Sequence, residues 1–138
     1  MKFSIKVQYG LQAVMELALN YGGGPVQIKD IAKSQKIPIR FLEQLMLHLK
    51  RSGLVSSLRG KDGGYLLAKR PSEITLYKVV EALDGPIELG NKKMKKFPIV
   101  LEIFEEVQSS LIKQLSALTL DEIVMKKRQT DLAINYSI

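Results

Sequence analysis

Residues 38–67 read Pro38-Ile39-Arg40-Phe41-Leu42-Glu43-Gln44-Leu45-Met46-Leu47-His48-Leu49-Lys50-Arg51-Ser52-Gly53-Leu54-Val55-Ser56-Ser57-Leu58-Arg59-Gly60-Lys61-Asp62-Gly63-Gly64-Tyr65-Leu66-Leu67. The pattern changes once along this stretch. Up to Arg51, the apolar residues Phe41, Leu42, Leu45, Met46 and Leu49 recur at three- and four-residue steps, the period of a helix with one buried face. Pro38 suits a first helical position, and Lys50-Arg51 followed by Gly53 supply a cationic last turn and a C-terminal glycine. Beyond it, Leu54–Leu58 and Tyr65–Ala68 are two short strand-like runs around the glycine-rich, basic turn 59–64, which is a hairpin signature.

Upstream, a first helix is expected from Ser4 as its cap, with Leu11, Val14, Met15 and Ala18 inward and Gly22-Gly23-Gly24-Pro25 as its stop. A second carries Ile28, Ile31 and Ala32 on one face, and only Ser34 to Ile37 separate it from the helix that begins near Pro38. Two helices joined so tightly must cross steeply, which makes a helix-turn-helix; the hairpin that follows adds a wing with its tip at 59–64. Gly60, Gly63 and Gly64 are read as turn residues that need positive φ, since the loop does not follow GxxxxGK[ST].

Downstream, Thr75 to Leu83 forms a short amphipathic helix closed by Asp84-Gly85-Pro86. Residues 87–96, with Lys92, Lys93, Lys95 and Lys96, lack periodicity and are expected to be an exposed loop. From Phe97, the residues Val100, Phe104, Val107, Leu111, Leu115 and Leu118 repeat at helical spacing, widened by Ile103 and Ile112. This is more apolar surface than a small wing domain readily covers, so the stripe is read as a self-pairing seam. Thr119-Leu120-Asp121-Glu122 is a capping box that opens a short last helix before Asn135-Tyr136-Ser137-Ile138. The fold class is thus mainly α with a small β-hairpin wing. A winged helix-turn-helix spans 1–86, a loop 87–96, and a dimerisation helix with tail 97–138.

The chain has 138 residues, with 46% hydrophobic and 25% charged positions, as suits one globular domain. It has no cysteine and one histidine, His48. That excludes disulfides, thiolate nucleophiles, CxxC zinc sites and sites needing two imidazoles on one chain. No carboxylate has a histidine or cysteine to activate, and Glu102, Glu105 and Glu106 read as a solvated helix face, so no enzyme is expected. Neither a membrane span nor a leader peptide is legible, and a cytoplasmic protein is expected.

The net charge of +7 is uneven. Residues 1–70 carry 12 Lys/Arg against 4 Asp/Glu, whereas residues 71–138 carry 9 against 10, so the basic excess lies in the first half. The start of the second helix of a helix-turn-helix meets base edges in the major groove. Here it offers Pro38, Ile39, Arg40, Glu43 and Gln44. Arg40 can pair with guanine, Gln44 with adenine, and Glu43 can accept from cytosine N4; the competing reading of Glu43 is a surface ion pair with Lys50 or Arg40. Phosphate contacts are assigned to Lys6, Gln8, Tyr9, Lys29, Lys33, Lys50 and Arg51. Arg59, Gly60 and Lys61 form the wing, with Arg59 placed to enter the minor groove. His48 reads as a surface or half-packed residue. Two other classes stay open on residues alone: a winged domain kept as a protein-docking scaffold, and a basic architectural protein without sequence preference.

The chain resembles a family of winged helix-turn-helix regulators that includes IscR, NsrR and CymR. The resemblance is carried by Lys6 through Tyr9-Gly10-Leu11, Gly24-Pro25 with Ile31-Ala32, and Phe41-Leu42-Glu43-Gln44-Leu45. It continues through Ser52 to Gly60 into Gly63-Gly64-Tyr65-Leu66-Leu67, then Ile74-Thr75 and Glu81-Ala82-Leu83-Asp84-Gly85-Pro86. It implies a homodimeric repressor or activator on a partly palindromic operator, and a repressor is expected. In that picture the helix from Phe97 is the dimer element, and residues at the positions of Arg40, Glu43 and Arg59 touch bases or grooves. Cluster-binding members carry three cysteines in the loop after Gly-Pro, whereas residues 87–96 here carry lysines. No iron–sulfur cluster or other cofactor is expected, and the chain looks most similar to the cluster-free CymR type. For that type the resemblance implies control through a partner enzyme, cysteine synthase, with the tail around Tyr136 and the basic loop as candidate docking surfaces.

Overall fold

The computed structural model describes residues 2–137. Its elements run α1 (Ile5–Leu19), α2 (Ile28–Gln35), α3 (Ile39–Arg51), β1 (Val55–Leu58), β2 (Gly64–Leu67), α4 (Leu76–Asp84), α5 (Pro98–Ala117) and α6 (Leu120–Ser137). Short 3-10 turns occupy Pro71–Glu73 and Lys92–Lys96. The strands pair antiparallel in the register Val55↔Leu67 to Leu58↔Gly64.

The head, formed by α1–α4 and the hairpin, closes around one core. Val14, Ile31, Leu42, Met46, Leu49, Ile74 and Val79 are wholly buried, and each such side chain contributes about 1.5–3 kcal/mol by leaving water. In the link between α2 and α3, Lys36 takes left-handed φ 55° and Ile37 is buried. The link pins the crossing of the two helices by an apolar anchor. Pro38 occupies the position just before α3 rather than its first turn, its carbonyl accepting from the Leu42 amide at 2.9 Å. α3 ends as its sequence indicates. Gly53, at φ 76°, donates to the Lys50 carbonyl and Leu54 to the Leu49 carbonyl, a Schellman closure with Leu49 and Leu54 both buried. At the start of α4, the Thr75 hydroxyl accepts from the Lys78 amide.

Several expectations change. Ser4 stands at the cap position of α1, but its hydroxyl and amide both donate to the Asp84 carboxylate, tying the start of α1 to the end of α4. The Thr119 hydroxyl likewise donates to Asp121 instead of completing a capping box with Glu122. α6 is long rather than short, with 18 residues. The segment 87–96 is not a bare loop. Ile87 is buried in the core, the Leu89 amide donates to Gln108 Oε1 at 2.9 Å, and Asn91 caps the 3-10 turn.

The expected single seam on α5 is divided. Leu111, Ile112 and Leu115 pack against the head's own core, while Phe97, Val100, Ile103, Phe104 and Val107 stay exposed. Leu118 lies past the end of α5, in an extended link whose carbonyl accepts from Leu76, and Leu120 answers by donating to the Ile74 carbonyl. Leu120 and Val124 of α6 complete the core. The head therefore does not end at Pro86, because the C-terminal half of α5 and the first turns of α6 are built into it.

Candidate nucleic-acid interface

An amphipathic helix with one face in the core must offer the other to solvent or to a partner. α3 buries Leu42, Leu45, Met46 and Leu49 and exposes Ile39, Arg40, Glu43, Gln44, Leu47 and His48. Among the described residues, the ion pairs are Arg70–Glu73 at 2.8 Å and Lys127–Asp131 at 3.1 Å. Arg40 and Glu43 are in neither. The carboxylate of Glu43 is thus not held by Lys50 or Arg40 and is available to an external donor.

The structure gathers the wing against this helix by contacts that the sequence did not disclose. Lys50 Nζ donates to Ser57 Oγ at 2.6 Å, so one donor of this exposed ammonium braces the end of α3 on β1. Val26 forms a two-bond bridge with Tyr65, both N···O distances being 2.8 Å, which adds a one-residue third strand to the hairpin. Gln27 Nε2 then donates to the Lys61 carbonyl at 3.1 Å. The approach is so close that a Cβ on Gly64 would lie 2.5 Å from the Val26 carbonyl oxygen; Gly64 also holds φ 145°. Gly60 has positive φ as expected, but Gly63 does not. What requires glycine at 63 is contact, since a Cβ there would run into the Leu58 carbonyl. Arg59, Gly60 and the Lys61 side chain remain exposed at the tip.

Of the other expected contacts, Lys6, Lys29, Lys33 and Arg51 are exposed, as are Pro38 and Ile39. Gln8 is exposed and donates to Gln12 Oε1. Tyr9 also has a structural part. Its ring is half-buried and meets Phe41 edge-to-face at 5.6 Å, which seats α1 on α3. A polar chain missed in the sequence does similar work between α1 and α2: Gln12 donates to the Gln35 carbonyl at 3.1 Å and Gln35 Nε2 to Glu16 Oε2 at 3.1 Å. Glutamines at a helix interface carry no signal in periodicity, because they read as surface. On α4, burial together with the neighbouring Glu81 carboxylate raises the Tyr77 phenol above its ordinary pKa.

The last face is apolar. α5 has no buried residue along its 20, and α6 buries only Leu120 and Val124 while Met125, Leu132, Ile134 and Tyr136 are exposed. Ile138, the end of the tail, lies outside the described residues. No described helix is long and apolar enough to cross a membrane.

Comparison with known proteins agrees with this architecture. Residues 3–126 match the Rrf2 family, described as an iron-dependent transcriptional regulator. The HTH-type transcriptional regulator CymR of Bacillus subtilis is 35% identical over 123 residues, which is 89% of each chain. Among solved structures, T. potens IscR superposes with a TM-score of 0.77 at 34% identity, covering 94% of this chain and 90% of that one. The structure of CymR from B. subtilis, titled the global cysteine regulator, gives 0.74 at 33% identity over 91% and 98%.

Proposed function

The chain belongs to the Rrf2 family and is a DNA-binding transcription regulator, and from that premise we propose that it acts as a homodimeric repressor on a partly palindromic operator. The observation that carries the DNA side is the exposed, ion-pair-free face of Arg40, Glu43 and Gln44 on a helix whose opposite face is core. Set into the major groove, these groups meet guanine, cytosine and adenine edges. Arg59 follows the wing to the adjacent minor groove, and Lys6, Lys29, Lys33 and Arg51 neutralise phosphates. Selection of bound duplexes from a random pool, followed by binding across a salt series, tests this. A regulator keeps a preference of about a thousandfold or more over random DNA. Equal loss for all duplexes as salt rises would instead mark an architectural protein, and binding to neither a docking scaffold.

The dimer rests on α5. Its Leu111, Ile112 and Leu115 side is covered by its own head, whereas Val100, Ile103, Phe104 and Val107 form a second apolar side that no described residue buries. A second copy of the same helix matches that stripe and gives the twofold symmetry a palindrome requires. Sedimentation at micromolar concentration should return twice 15.5 kDa.

The regulator works without an iron–sulfur cluster. The segment between Pro86 and α5 presents Lys92, Lys93, Lys95 and Lys96, the chain holds no thiolate, and ammonium groups cannot ligate iron. Titration with iron and sulfide should yield no stoichiometric visible chromophore. Control through a protein such as cysteine synthase fits the similarity to CymR, and a cytoplasmic location fits a DNA partner. An enzymatic role has no acid–base pair to support it.

A further inference from the structure

α3 exposes two large apolar side chains, Ile39 and Leu47, each 42% accessible, and neither is among the buried residues of the core. They do not stand at random. At four-residue steps, Ile39, Glu43 and Leu47 form one ridge of the helix, beside the ridge of Arg40, Gln44 and His48. An apolar residue thus sits within the set of side chains that meet bases, in the most basic half of the chain. A lone exposed apolar residue needs no explanation. One on a reading surface has a specific complement, because the major-groove edges of the four base pairs present donors, acceptors and a single apolar group, the 5-methyl of thymine.

We propose that Ile39 is a specificity-determining residue that packs on a thymine 5-methyl next to the base pair read by Glu43. This rests on the reading that α3 enters the major groove. Position selects Ile39 over Leu47, since Ile39 is the first residue of α3 and the N-terminal turn of a recognition helix is the part that reaches base edges. One helical turn separates Ile39 from Glu43, with about 5–6 Å between their Cβ atoms. That span matches a step of one to two base pairs at about 3.4 Å each. The β-branched side chain has few rotamers to lose on contact.

The test uses the full chain and the duplex obtained by selection, with each thymine replaced in turn by deoxyuridine. That exchange removes the methyl and leaves every hydrogen-bonding group in place. The expected result is one thymine per half-site at which the wild-type protein loses about fourfold in affinity, the worth of one buried methyl. At that thymine, Ile39→Ala binds the two duplexes equally, and Ile39→Val keeps part of the difference. Both variants should melt close to the wild type, since the side chain is exposed and is not a residue of the buried core. Two results would overturn the proposal: no thymine at which the methyl matters, or a methyl effect of the same size in Ile39→Ala. Failure of the underlying reading looks different, because Glu43→Ala would then leave base preference unchanged and no duplex would be selected at all, taking both down together.

Discussion

The head and the tail of this molecule meet the hydrophobic effect in opposite ways. In the head, α3 hides Leu42, Leu45, Met46 and Leu49 and shows solvent a mostly polar and charged face, broken by Ile39 and Leu47. In α5 no residue is buried, and the side chains left out include Phe97 at 62% and Ile99 at 65% exposure. The two regions share one chain and similar apolar periodicity. What separates them is supply of cover: the head has enough elements to close around itself, and the tail has none left. Exposed charge in the head and exposed apolar surface in the tail therefore fit the two partners proposed above, a polyanion for the first and a like surface for the second.

If that division holds, substitutions in the two regions should fail differently. The largest effect is expected in the head core, where Leu45→Ala should cost about 2–5 kcal/mol, read as a lower urea midpoint with the DNA-binding surface lost alongside it. In the tail, Phe104→Glu should leave far-ultraviolet circular dichroism intact while weakening self-association about a hundredfold or more in sedimentation, since it places a carboxylate in an apolar seam. An unchanged dimer in that variant would break the comparison. Next, Arg59→Ala should weaken operator binding about tenfold and Lys29→Ala less, the latter about equally for all duplexes, with neither altering the dimer.

The smallest effect belongs to Tyr77 on α4. Tyr77 has a raised phenol pKa, first from burial and then from Glu81, so its neutral form is favoured in the fold. The unfolded chain ionises first as pH rises, hence stability should be full below about pH 10 and decline above it. Tyr77→Phe should flatten that alkaline decline in melts recorded from pH 8 to 11.

Legibility in the sequence followed the range of the interaction. The closure of α3 at Gly53 and the placement of Arg40, Glu43 and Gln44 outward follow from residues a few positions apart, and both were readable. The edge-to-face contact of Tyr9 with Phe41 was not readable, because the two rings lie 32 positions apart in sequence. The hydrogen bond from Lys50 to Ser57 likewise joins a helix to the neighbouring strand and leaves no mark in periodicity.

By itself the sequence determined a winged helix-turn-helix of mostly helical content, a basic first half, and the absence of any thiolate chemistry. Periodicity, caps and composition are local or additive, and they need no knowledge of what packs where. Only the tertiary structure decided that Val26 and Gln27 hold the wing, that Gly63 is needed for contact rather than for φ, and that the apolar stripe of α5 is shared between its own head and an open side. Burial is non-directional: an apolar stripe states that it must be covered, and the three-dimensional arrangement alone says by what.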